Sequence, residues 1–248
     1  MKLFMEKVPL LKKPLYAFFI ILYLLGLISL TVLFFYFIDG IEWWSSMLSQ
    51  GVMCIIVCIL GILHFKYANI FRRKFSNLAY QRFFLVFMLP YLVTWYGCFF
   101  HPAFIKGDKL LPIWGQLMLV VVCLFLMISA NIQIEKAGFS MVTHGMDVFT
   151  VFPEETTIVR GKIYSFIRHP LYFALLMGGF AMGFISNTWM GLVVATLQVV
   201  PCILIGFWED KELIVRSGND HMEYIKQTAL LIPIRKLPGF LKLLLFGR

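Results

Sequence analysis

Two short runs carry the residue types that can do chemistry. The first is Arg168-His169-Pro170-Leu171-Tyr172, and the second is Glu209-Asp210-Lys211-Glu212-Leu213, followed by Gly218, His221 and Tyr224. Pro170 suits the first turn of a helix, where its missing N–H costs nothing, so Arg168 and His169 stand at the positive end of that helix, a place that favours an anion. Arg168 offers a planar fork for a carboxylate, and Tyr172, one turn on, presents a ring and a hydroxyl on the same face. The alternative for this run is plain anchoring: Arg168 and His169 marking a membrane border, and Tyr172 belonging to an interfacial aromatic belt.

Glu209 and Asp210 directly follow an apolar stretch. If the helix stops there, they sit at the negative end of its dipole, an unfavourable placement that points to a use. A carboxylate at that depth accepts hydrogen bonds from an amine or from ribose hydroxyls, or pairs with a cation, more strongly than in water. Lys211, Glu212 and Glu223 read as a solvated helix face. Taken together, a cation for an anion and an anion for a cation or diol describe recognition of a zwitterion. S-adenosylmethionine has this character, and a dinucleotide or a lipid headgroup also satisfies it.

The elements that must position these runs are membrane helices. The 248 residues are 60% hydrophobic and 14% charged, with 26 Phe, a balance that excludes a soluble globular domain. That much apolar surface needs lipid as its solvent. Six apolar stretches are predicted, at residues 15–38, 47–65, 83–100, 112–132, 171–185 and 188–208. Of the 22 Lys and Arg, 20 fall on one side of this topology and only Lys106 and Lys109 on the other. Basic residues collect on the cytoplasmic side, so the expected fold is all-α: a polytopic integral-membrane helix bundle of about six transmembrane helices with both termini cytoplasmic. The formal charge of +9 punctuates apolar runs rather than forming a basic domain, which argues against a nucleic-acid partner. The first apolar run is too long for a cleaved signal and is expected to remain as an anchor.

Ser186-Asn187-Thr188 makes the fifth and sixth helices an antiparallel hairpin, which brings His169 and Glu209 to the same membrane face. Pro201 is placed to kink helix six, and Pro90 reads as a tolerated membrane proline. Gly179 and Gly183 form a small-residue pair suited to close packing within the hairpin. Cys54, Cys58, Cys98, Cys123 and Cys202 are odd in number and lack partners at ligand spacing, so neither disulfides nor a metal are expected. His64, His101 and His144 have no partners at useful spacing. The basic, apolar tail from Lys236 reads as an interfacial helix on the cytoplasmic leaflet.

From about Thr156 to Pro233, a third of the chain, the sequence resembles the integral-membrane methyltransferases of the isoprenylcysteine carboxyl methyltransferase and phospholipid N-methyltransferase superfamily. The residues that carry the resemblance are Ile158-Val159, Tyr164, Arg168-His169-Pro170 and Tyr172, then Glu209-Asp210, Leu213, Gly218, Tyr224 and Pro233. Ala174, Ser217 and His221 stand where that pattern has glycine, phenylalanine and tyrosine. The resemblance implies a pocket for S-adenosylmethionine, with Ile158, Val159 and Tyr164 matching its leading stretch. Arg168, His169, Pro170, Leu171 and Tyr172 match the cofactor-contacting turn, and Glu209 matches the acidic cofactor contact. It implies direct displacement at the sulfonium methyl by a hydrophobic small-molecule or lipid acceptor. Separately, the sequence shows no retrieval or sorting signal, which leans toward an inner, cytoplasmic membrane rather than the endoplasmic reticulum. Residues 1–132 would then shape the acceptor cavity, and residues 133–248 would form the catalytic hairpin and cofactor segment. No catalytic residue is singled out: Glu209, Asp210 and His221 are unranked as bases. An NADPH-dependent reductase of the steroid-reductase type carries a similar turn, but Leu171 and Ala174-Leu175 depart from its Asn and Gly-Glu. A non-enzymatic scaffold or transporter is the third class, and the helices offer it no charged path.

Overall fold

The computed structural model describes residues 8–138 and 159–247, and among these residues every regular element is helical. Helical segments at Pro14–Asp39, Ser45–Phe104, Ile113–Lys136 and Trp189–Ser217 are long and apolar enough to cross a membrane, and Pro170–Ser186 is a shorter apolar helix. This is the architecture of a multi-pass membrane protein.

The described residues form two compact units, one of residues 8–97 and one of residues 98–138 with 159–247. Within the second unit the helix Ile113–Lys136 packs along Pro170–Ser186.

The first unit holds α1 (Pro14–Asp39), α2 (Ser45–Phe75), α3 (Ala79–Phe83), a π-helical turn (Phe84–Met88) and most of α4 (Leu89–Phe100). Phe35 is the one buried residue of α1, as expected of a helix solvated by lipid. The Ser45–Phe104 segment reverses direction at Ser76, whose φ is +44°. Tyr67 stacks on Phe87 at 5.9 Å and Phe71 meets Phe83 at 5.3 Å, so the two arms run antiparallel. These arms are the second and third apolar stretches. The π-helical turn ends two residues before Pro90. Pro90 has no N–H to offer the carbonyl of Val86, and the ladder widens where that bond is missing.

The second unit holds α5 (Ile113–Lys136), α6 (Pro170–Ser186), α7 (Trp189–Leu197), α8 (Val199–Ser217), α9 (Asn219–Gln227) and α10 (Leu237–Phe246). The α6–α7 turn is built on Asn187 in the left-handed region (φ +55°) and Thr188, whose hydroxyl accepts the Gly191 N–H at 3.0 Å. Asn187 also binds both backbone groups of Leu111, at 2.8 and 3.1 Å. Gly179 and Gly183 of α6 both face the returning arm. A Cβ on Gly183 would meet Ala195 Cβ at 3.0 Å and the Gly191 carbonyl at 3.1 Å, and one on Gly179 would meet the Gln198 amide at 2.7 Å.

The returning arm breaks at Gln198, between α7 and α8. Pro201 supplies the cause, since it cannot donate to the carbonyl of Leu197. Beyond the break, α8 runs past Trp208 to Ser217 and ends at Gly218, whose φ is +60°. This corrects the placement of Glu209 and Asp210: they lie inside a continuing helix, not beyond its end. Residues 209–216 are mostly good helix formers, and Glu212 pairs with Arg216 at 3.7 Å. The tail is corrected in part as well. α10 is anchored in the core through Phe240, Leu243 and Leu244, which pack with Ile134, Ile163, Ile167 and Phe173, while Leu241, Leu245 and Phe246 stay exposed.

Candidate functional site

The start of α6 and the middle of α8 meet through charged side chains. The segment before α6 is held in place by backbone: Arg168 N–H donates to Ala229 O at 3.0 Å, His169 N–H to Leu230 O at 3.3 Å, and Ala229 N–H to Phe166 O at 3.0 Å. This short parallel pairing, the bridge of Ile167 with Ala229, aims Arg168 and His169 toward α8. Pro170 then begins α6, as its fixed φ favours. Gly206 leaves room for the imidazole: a Cβ there would lie 3.3 Å from His169 Cδ2.

Asp210 is the centre of the cluster. Its Oδ2 accepts from Arg168 Nε at 2.7 Å. Its Oδ1 lies 3.1 Å from His169 Nε2 and 3.1 Å from His221 Nε2. Arg168 also donates through Nη1 to the Thr228 carbonyl at 2.7 Å. Glu209 occupies the more open side of α8. Its Oε2 accepts from Tyr172 O–H at 3.0 Å and faces His169 Nδ1 at 3.2 Å, while 37% of its side chain stays exposed. His169 and Tyr172 stack with centroids 5.5 Å apart.

His169 therefore stands between two carboxylates. Burial pushes its pKa down, but the charges of Glu209 and Asp210 and the hydrogen bonds to both outweigh it, and the net is a rise to about 9. Both ring nitrogens face carboxylate oxygens, which accept only, so His169 is an imidazolium at neutral pH. Burial raises the Tyr164 hydroxyl above its ordinary value, and the Glu209 charge adds to the effect. Tyr224 O–H donates to the Tyr164 carbonyl at 2.6 Å, which ties α9 to the segment before α6.

The structure thus brings Tyr164, Arg168, His169, Tyr172 and Glu209 together, with Pro170 starting the helix that carries Tyr172. Leu171 packs against the apolar core instead, Val159 is half-buried, and Ile158 lies outside the described residues, as does His144. One expectation changes. The cation and the anion assigned from the sequence to opposite ends of a zwitterion are paired with each other, Arg168 with Asp210 and His169 with both acids. Within this cluster the charged group left for a ligand is Glu209, whose Oε1 has no hydrogen bond among the described residues.

Sequence reasoning did not identify the backbone clamp at Thr228, Ala229 and Leu230. It also did not identify a neighbouring cleft of about 280 Å³ lined by Arg160, Ser165, Asp220, Glu223, Tyr224, Gln227, Thr228 and Lys236. Arg160 lies over the Tyr224 ring at 5.7 Å, and neither it nor Lys236 pairs with a carboxylate among the described residues. The only sequence signal for this cleft is the basic and acidic residues scattered along the flanking segments. Among the described residues no group of His, Cys, Asp and Glu is arranged to hold a metal ion, and none of the five cysteines is in a disulfide. No known protein family, curated protein or solved structure matches this chain.

Proposed function

We propose that this protein is an S-adenosylmethionine-dependent methyltransferase of the inner membrane, with six transmembrane helices and both termini in the cytoplasm. It transfers a methyl group to a hydrophobic small-molecule or lipid acceptor at the cytoplasmic face. The observation that carries the reading is Glu209, held by Tyr172 and His169 through one oxygen, with the other open beside the membrane helices. That constellation coincides with the two motifs of the membrane methyltransferase pattern.

The residues fit the cofactor's polar ends. Glu209 Oε1 is an acceptor for an ammonium group or a ribose diol, and Arg160 and Lys236 on the neighbouring cleft are cations for a carboxylate. When bound, S-adenosylmethionine supplies an electrophilic methyl group. The chain's own contribution is placement. Tyr172 and His169 fix the carboxylate of Glu209, and the clamp at residues 229–230 fixes the turn that carries His169. Orientation of two reactants in a water-poor site contributes on the order of 7 to 11 kcal/mol, so no obligatory acid–base pair is required.

The test is calorimetric titration of detergent-purified protein with S-adenosylhomocysteine, with NADPH as the control ligand. Saturable S-adenosylhomocysteine binding that is lost in Glu209→Gln and His169→Ala is the expected result. Binding of NADPH instead would move the protein to the reductases, and binding of neither by folded protein would end the enzyme reading.

A further inference from the structure

His221 lies one element away from the ligand-facing carboxylate and is the most deeply buried member of the cluster, at 1% exposure. It stands on α9, just past the Gly218 turn that ends α8. Its Nε2 lies 3.1 Å from Asp210 Oδ1, its ring tilts against Tyr224 at 5.6 Å, and its Nδ1 has no partner among the described residues. A carboxylate offers only lone pairs, so the hydrogen of this contact belongs to Nε2. His221 therefore donates to Asp210 through Nε2–H, whereas His169 has an acid at each ring nitrogen. The result is a row of four side chains, Glu209, His169, Asp210 and His221, joined by contacts of 3.2, 3.1 and 3.1 Å. One end of the row is open and the other is sealed.

We infer that His221 is a positioning residue for Glu209, acting through Asp210 and His169. Asp210 has two oxygens for three donors, and each donor removes part of its rotational freedom. Arg168 takes Oδ2, so Oδ1 alone must be aimed at His169, and the Nε2–H of His221 approaches that oxygen from α9. Without this second donor, Asp210 is held only from the segment that carries Arg168 and His169 themselves, and no independent element fixes Oδ1 in the rotamer that meets the His169 ring. A loosened His169 releases Glu209, whose remaining support is the Tyr172 hydroxyl. The charged and titratable groups facing His169 are Glu209 and Asp210 from α8 and Arg168 and Tyr172 on its own side, with His221 behind Asp210 from α9.

The experiment uses the full-length protein in detergent with ¹⁵N-labelled histidine, of which there are five. Ring-nitrogen NMR spectra are compared for wild type, His221→Leu, which fills the space without a donor, and His221→Gln, which keeps an N–H near the Nε2 position. In wild type, His169 is expected to show two protonated nitrogens and His221 a hydrogen on Nε2. The His169 signals are expected to move in His221→Leu and to return in His221→Gln. S-adenosylhomocysteine affinity should fall at least about tenfold in the first variant and recover to within about threefold of wild type in the second. His169 signals in His221→Leu that superimpose on wild type would overturn the inference, as would a Gln variant no better than Leu. If His221→Leu does not fold, the wild-type spectrum decides, since a hydrogen on His221 Nδ1 and not on Nε2 contradicts the contact. The affinity part rests on the methyltransferase reading. Should wild type bind no S-adenosylhomocysteine, that reading fails while the His169 signals still decide the role of His221.

Discussion

Asp210 neutralises Arg168, receives His169 and contacts His221 while only 4% exposed. Replacing it by Asn keeps the shape and removes the charge that balances two buried cations. Breaking a buried pair from one side costs about 3 to 5 kcal/mol, and a loss of that order is expected for Asp210→Asn in denaturant unfolding of the detergent-solubilised protein. Arg168→Lys should cost less but not be neutral, because an ammonium cannot reach both Asp210 and the Thr228 carbonyl with the fork geometry of a guanidinium. His169 makes the cluster sensitive to alkaline pH. Its folded-state pKa of about 9 lies above the ordinary 6.5, so the folded protein holds this proton more tightly than the unfolded chain does. The stabilisation is fully present below about pH 6.5 and is lost as pH rises through about 9. Unfolding midpoints measured from pH 6 to pH 10 should fall across that window, and His169→Gln should flatten the fall. A wild-type profile flat to pH 10 would show that His169 is not charged in the folded state.

At the scale of elements, the hairpin of α6 with α7 and α8 sets the distance between the two halves of the cluster. Its closeness depends on Gly179 and Gly183, which meet Gln198, Ala195 and the Gly191 carbonyl. Gly183 faces backbone, which yields less readily than a side chain. Gly183→Val should therefore destabilise the protein by about 1 to 3 kcal/mol through overpacking, read as a lowered unfolding midpoint. Gly179→Ala should be milder, since the flexible end of Gln198 can turn aside. The break at Gln198 and the straight run of α8 beyond it decide where the acids point. Adjacent positions on a helix differ by about 100°, which is why Glu209 faces the open side while Asp210 faces α9 and the clamp.

At the scale of the whole chain, topology is the property to measure. α6 has 17 residues and spans about 25 Å at 1.5 Å per residue, close to the thickness of a bilayer's hydrocarbon. One end carries Arg168 and His169, and at the other Lys109 donates to the Ser186 carbonyl at 2.9 Å. An impermeant thiol reagent added to intact cells should label a cysteine placed at Lys106 and leave one placed at Asp220 unlabelled, both in a background without the native cysteines. The reverse pattern would invert the proposed orientation. Removal of residues after Pro233 deletes Phe240, Leu243 and Leu244 from the core, and such a truncation should lower the unfolding midpoint even though the deleted segment is terminal.

Much of this architecture follows from composition and spacing. Long apolar runs must be helices in lipid because every backbone group has to be bonded within its own segment. The Ser-Asn-Thr turn closes a hairpin, and Pro170 starts a helix, by local rules that need no tertiary context. Those rules also placed Arg168-His169 and Glu209 near one another before any contact was known. The pairing of their charges was decided by the tertiary structure alone. It depends on the rotation of α8 after the Pro201 break, on the space that Gly206 leaves for an imidazole, and on backbone bonds to residues 229–230, some sixty positions downstream. None of these leaves a periodic trace in the chain. The same holds for His221, whose partner is chosen by how α9 folds back at Gly218. Spacing along a helix determines which residues share a face, whereas the partner they meet is settled only when a second element packs against that face.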